Sequence, residues 1–185
     1  MTMLTPANQL TLLRMFLIPA FVILVVYGYL GSALAVFVTA GLTDALDGVI
    51  ARRSGQKTTL GAWLDPMADK LLLVTTFIVL TLPGLGLANR LPIWLTVLII
   101  SRDVGIVLTV AIVNFAVGRR TFQPSMYGKV ATAIYIVTVT MAMLFNYRGY
   151  HSVVVDLCVY ASLAITLLSG FHYIWHASRI MGQPA

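Results

Sequence analysis

The chain has 185 residues, 59% of them hydrophobic and only 10% charged, with a formal net charge of +6. A soluble domain carries roughly a quarter of its residues as charge because its whole surface must be solvated, so this composition argues against a soluble globule and for an integral membrane protein. The basic residues collect in short connections between apolar runs, where the positive-inside rule puts them, and no nucleic-acid partner is expected.

Apolar runs of about 20 residues, long enough to cross a bilayer, fall at Leu10–Leu30, Ser32–Ala51, Leu64–Leu82, Pro92–Val117, Tyr127–Phe145 and Val153–His176. They predict an all-α integral membrane fold of six transmembrane helices, one domain over residues 1–185. Gly28 and Gly31 mark the first turn and Pro83-Gly84-Leu85-Gly86 a later one. A β-barrel would need period-two alternation, which these runs lack. Arg14, the apolar run after it and the small-residue stretch Gly31-Ser32-Ala33-Leu34-Ala35 have the outline of a cleavable leader. Asn8, Thr11 and Arg14, however, recur at three-residue steps on one helical face, and the run is expected to stay as the first span. With a cytoplasmic amino terminus, Arg14, Arg52, Arg53, Lys57, Arg119, Arg120, Lys129 and Arg179 share the cytoplasmic side, leaving Arg90 and Arg148 opposite. The expectation is a multi-pass cell-membrane protein with both termini and the active site cytoplasmic. The lone Cys158 excludes an intramolecular disulfide and reads as a small apolar residue.

Four of the six acidic residues, Asp44, Asp47, Asp65 and Asp69, lie in one short stretch. Spacings of three and four put each pair on one face of its helix. The short polar connection Arg52 to Leu60 makes the two helices antiparallel neighbours, so the pairs can face each other. Four converging carboxylates repel and are costly to desolvate unless cations bind them. Hard divalent ions prefer oxygen ligands, which indicates one or two Mg²⁺ or Mn²⁺, and zinc is disfavoured because no Cys or His accompanies the acids. Magnesium commonly shares its shell with substrate phosphates, and paired ions suit phosphoryl transfer. Salt bridges to Arg52, Arg53, Lys57 or Lys70 account for any single Asp but not for four together. A cation pathway is the stronger competitor, although transport sites sit near the bilayer midplane rather than at its edge. Gly48, Ala51 and Gly61 leave room for a ligand or for close helix packing.

The stretch reads D-x-x-D-G-x-x-A-R, eight residues, then G-x-x-x-D-x-x-x-D. It resembles the signature of the CDP-alcohol phosphatidyltransferases at every fixed position and every gap. The likeness extends to the six spans, to N-x-x-T-x-x-R at Asn8, Thr11 and Arg14, and to Gly128-Lys129 opening the fifth helix. What the resemblance implies is a CDP-alcohol phosphotransferase-like bundle in which Asp44, Asp47, Asp65 and Asp69 bind the metals, two of them by that pattern. Asp69 would be the general base, while Asp44, Gly48, Ala51, Arg52 and Gly61 would contact the CDP moiety. The implied reaction is attack of an acceptor hydroxyl on the β-phosphorus of CDP-diacylglycerol, with release of CMP. A homodimer is common in the family.

Arg102 and Asp103 lie inside the fourth run, where charge is expensive and implies a polar cavity. With Arg119, Arg120 and Lys129, Arg102 is a candidate to grip an acceptor phosphate, although Arg119 and Arg120 also read as topology signals. An Arg102–Asp103 pair is not expected, because sequence neighbours on a helix point apart. A phosphate grip favours glycerol 3-phosphate as acceptor, and the segment NQLTLLRMFLIPAF is most similar to the phosphatidylglycerophosphate-forming members. Ile100-Ser101-Arg102-Asp103 is similar to the cardiolipin-forming members, which use phosphatidylglycerol; inositol phosphate is a third anionic acceptor. A non-enzymatic cation transporter or scaffold is the rival from another class. His172 and His176, four apart around Trp175, read as interfacial rings rather than metal ligands. Asp156 falls near the outer end of the last run and is given no role.

Overall fold

A computed structural model describes residues 6–54, 59–117 and 126–181; within these, the side chains of 6–11, 44–54, 59–67, 69, 110–117, 174 and 176–181 are not described. Among the described residues six helices follow in chain order: α1 (Pro6–Val26), α2 (Leu30–Ser54), α3 (Thr59–Thr81), α4 (Ile93–Val117), α5 (Met126–Arg148) and α6 (Val153–Met181). No strand occurs among the described residues. Each helix matches one predicted apolar run. Among the described residues, Met126–Arg148 and Val153–Tyr173 are long and apolar enough to cross a membrane.

The chain divides into two compact units. The first comprises Met1–Arg90 and Ala142–His151, the second Leu91–Met141 and Ser152–Ala185.

In the first unit α1 packs against both α2 and α3. Phe21 of α1 meets Phe37 of α2 with ring centroids 6.1 Å apart. The first helix ends at Val26, earlier than the apolar run predicts. Gly28 takes φ 79°, and the Tyr29 and Gly28 amides donate back to the Leu24 and Val25 carbonyls at 2.8 and 3.0 Å. That is the Schellman arrangement, which needs a left-handed residue after the last turn. Gly31, expected in the same turn, instead lies inside α2. A Cβ there would come within 2.7 Å of the Tyr147 ring, so this glycine serves close packing.

The connection after α3 turns through Gly84 and Gly86, both with positive φ, as expected. It is held by a buried amide clasp. Asn89 N donates to Asn146 Oδ1 at 2.6 Å, Asn146 Nδ2 donates to the Asn89 carbonyl at 3.2 Å, and Asn89 Nδ2 donates to the Tyr150 carbonyl at 2.8 Å. Gly149, also at positive φ, closes α5 beside this clasp.

In the second unit α4 packs on α6, and hydroxyl groups tie α5 to α6. Tyr135 Oη bonds Thr166 Oγ1 at 2.6 Å, and Thr138 Oγ1 bonds Ser162 Oγ at 2.8 Å. Between apolar helices such bonds hold neighbours together where lipid offers little hydrophobic drive. Large apolar side chains such as Phe16, Ile93 and Phe171 are exposed, which suits helices solvated by acyl chains rather than water.

Replacing Asn146 by Ala strands the buried Asn89 amide. The expected cost is about 1–3 kcal/mol, seen as a fall of several degrees in the apparent melting temperature of the purified protein.

Candidate active site

The acids of the signature are set on two helices. Positions 44 and 47 lie in α2, positions 65 and 69 in α3. The buried stripe of α2 runs through Ala33, Phe37 and Ala40; stepping on by four and three residues reaches positions 44 and 47. In α3 the buried residues Val79, Thr76 and Leu72 lead by the same steps back to positions 69 and 65. Both series are the alternating three-and-four pattern of one helical seam. Because α1 packs on both helices, it is the common neighbour of the two segments that carry the quartet. The side chains of Asp44, Asp47, Asp65 and Asp69 lie outside the described ones, as do those of Gly48, Ala51, Arg52 and Gly61; Arg119 and Arg120 lie outside the described residues altogether. Among the described residues no three metal-ligating side chains gather. The donor set on α2 and α3 nevertheless fits a hard divalent cation. It offers carboxylate oxygens at one-turn spacing on two helices that share a packing partner, with no sulfur or imidazole among them.

α1 brings a further charge. Arg14 is only 1% exposed and ranks among the largest fully buried side chains. Its spacing from Asn8 and Thr11 predicts a polar face, but the sequence does not show that the face is buried.

The second unit holds a second polar centre. Arg102 Nη1 donates to Asp103 Oδ1 at 2.7 Å, and Arg102 Nη2 donates to Ser169 Oγ. This corrects the expectation that pairing between these neighbours is disfavoured because they point in different directions. The Cα–Cβ bonds of 102 and 103 do diverge, but the long arginine stem curls back far enough to reach the neighbouring carboxylate. Both side chains are largely buried, at 10% and 20% exposure, where matching the charge outweighs the cost of bending the stem. Arg102 Nε is buried and makes no hydrogen bond among the described residues. Ser169 and Thr166, with Ser162 a turn below, form a hydroxyl stripe on α6 that is almost wholly buried. The sequence reading missed this stripe, although its spacing of four and three is visible in the sequence. Lys129 is exposed in the first turn of α5. The His172 ring packs on Tyr127 with centroids 4.6 Å apart, in keeping with an aromatic cluster; the His176 side chain lies outside the described ones.

The sequence matches the CDP-alcohol phosphatidyltransferase family model over residues 4–172. The chain belongs to this family. It is similar to a probable phosphatidylglycerophosphate synthase of Mycobacterium tuberculosis, with 35% identity over 95% of this chain and 83% of the relative. A CDP-diacylglycerol–glycerol-3-phosphate 3-phosphatidyltransferase of Bacillus subtilis is 30% identical over 93% of this chain and 96% of its own length. A CMP-forming cardiolipin synthase of Rattus norvegicus is 33% identical over 91% of this chain and 61% of its own. Family membership makes the chain a phosphatidyltransferase of phospholipid biosynthesis, which sets aside the transporter and scaffold alternatives. Two apolar helices and a membrane-associated family agree with a membrane protein.

Asp103→Ala leaves the Arg102 guanidinium without its counter-charge, whereas Ser169→Ala removes one charge-assisted bond. Losses of about 1.5–3 kcal/mol are expected for Ser169→Ala and more for Asp103→Ala; thermal denaturation of the two variants side by side checks the order.

Proposed function

We propose that the protein transfers a phosphatidyl group from CDP-diacylglycerol to glycerol 3-phosphate, forming phosphatidylglycerophosphate and CMP. The observation that carries this reading is similarity along nearly the whole chain to a probable phosphatidylglycerophosphate synthase and to a glycerol-3-phosphate 3-phosphatidyltransferase. The buried Nε of Arg102, a donor with no hydrogen-bond partner among the described residues, favours an anionic acceptor.

In this reading residues 1–185 act as one catalytic domain in a bilayer, with six spans and with both termini and the active site on the cytoplasmic side, where a soluble acceptor and a lipid donor can meet. Asp44, Asp47, Asp65 and Asp69 hold divalent cations, Mg²⁺ or Mn²⁺. The bound cations supply charge neutralisation of the diphosphate. Asp44, Gly48, Ala51, Arg52 and Gly61 seat the CDP moiety, the glycines and alanine by leaving room near the backbone. Asp69 accepts the proton of the acceptor hydroxyl as its oxygen bonds to the β-phosphorus and the bond to CMP breaks. Arg102 holds the acceptor phosphate through its free donor, with Lys129, Arg119 and Arg120 adding positive charge. The working unit in this reading is a homodimer, which mass measurement in detergent tests. A second reading, phosphatidylglycerol as acceptor, is favoured by the similarity to a cardiolipin synthase and by the segment around Arg102; inositol phosphate is a further anionic candidate.

The deciding experiment is CMP release by purified protein from CDP-diacylglycerol and Mg²⁺ with single acceptors. Release dependent on glycerol 3-phosphate is expected; release only with phosphatidylglycerol would move the protein to cardiolipin formation. Asp69→Asn should lower turnover by about 10²–10⁴-fold while CDP-diacylglycerol still binds. Arg102→Ala should raise the KM for glycerol 3-phosphate by roughly 10–100-fold with little change in that for CDP-diacylglycerol, and equal effects on both would count against an acceptor grip.

A further inference from the structure

Arg14 is the charge for which the reaction supplies no task. It lies on α1 at 1% exposure. A buried guanidinium requires anionic or strongly polar company. The chain has six acidic residues, and two of them, Asp103 and Asp156, belong to the other compact unit. Every carboxylate side chain in the unit of Arg14 is therefore one of the quartet.

Helix register narrows the choice. Phe21 and Phe37 fix the level at which α1 and α2 run past each other. Seven residues from Phe21 toward the start of α1 is Arg14, and seven from Phe37 toward the end of α2 is position 44. Each step is about two turns and about 10.5 Å, and it returns to nearly the same helix face. On antiparallel helices joined by the tight Gly28 turn, both steps run the same way along the pair.

We propose that Arg14 is a positioning residue: its guanidinium is the built-in counter-charge of the carboxylate cluster, at the level of Asp44. The inference rests on the reading of the quartet as a metal site in so far as it concerns cations. A fixed positive charge lets the acids stay ionised and close together before a cation arrives, and it competes mildly with that cation afterwards. Removing it shifts the whole task of neutralisation to the bound ion.

The test uses the full chain in detergent and follows the apparent melting temperature in EDTA and in MgCl₂ for the parent, Arg14→Gln, Arg14→Lys, Asp44→Asn and the double variant Arg14→Gln with Asp44→Asn. Arg14→Gln should melt several degrees lower in EDTA and gain more from Mg²⁺ than the parent does. Arg14→Lys should restore most of the parental behaviour. Asp44→Asn should be less damaging in the Arg14→Gln background than in the parent. Additive effects of Arg14→Gln and Asp44→Asn would overturn the proposal. If the parent gains nothing from Mg²⁺, the metal reading of the quartet fails, yet the coupling between positions 14 and 44 still decides this inference. Should Arg14→Gln fail to accumulate, recovery in the double variant supports the pairing, and failure of the double variant to recover overturns it.

Discussion

Charge inside a helical, lipid-solvated protein must be matched within reach of its own side chain, and that constraint organises both units. In the first, α1 lies against the two helices whose buried seams run on into the positions of the four signature acids, and it brings the buried Arg14 with it. In the second, Arg102 is buried with Asp103 and Ser169. A single step along a helix rotates a side chain by about 100°, so each charged position is tied to the register of its helix. The apolar helices thus tolerate functional charge only at a few registers.

The polar side chains that do no chemistry have a related task. Where lipid surrounds the helices, apolar packing alone discriminates poorly between correct and shifted neighbours. The Asn89–Asn146 clasp fixes the corner after α3 against the end of α5, and the pairs Tyr135–Thr166 and Thr138–Ser162 fix α5 on α6. Several of these hydroxyls also bond the carbonyl one turn earlier in their own helix, as Thr138 does to Ile134 at 2.8 Å. They stay satisfied in either rotor position, which makes hydroxyl residues cheaper glue than amides in an apolar setting.

Six helices were legible from hydropathy because the period of the pattern hardly matters when a run is apolar all round; length alone carries the signal. Helix ends were less so. Hydropathy ran through Leu30, while α1 stops at Val26, where Gly28, marked in the sequence as a turn residue, adopts a left-handed conformation. Gly28 and Gly31 look alike in sequence, yet one ends a helix and the other makes room for the Tyr147 ring. The quartet was legible in full as a pattern, since spacing and residue type together define it. The Arg102–Asp103 pair was misread, because direction from the helix axis is a rule for Cβ atoms and a guanidinium lies several bonds further out. Ser169 escaped notice because a serine in an apolar run carries no signal until its partner is known.

The same pair bears on the choice of acceptor. Asp103 offsets the Arg102 charge, so the couple carries an unpartnered buried donor at Nε more than a net positive field. A phosphodiester with one negative charge asks little more than such a donor. A phosphate monoester such as glycerol 3-phosphate carries closer to two charges at neutral pH and needs further cations in its shell. Lys129, exposed at the start of α5 in the same unit, is a candidate for that second charge. If the proposed acceptor grip holds, discrimination between the two acceptors would reside less in Arg102, which could serve both, than in Lys129, whose charge only the monoester would fully use.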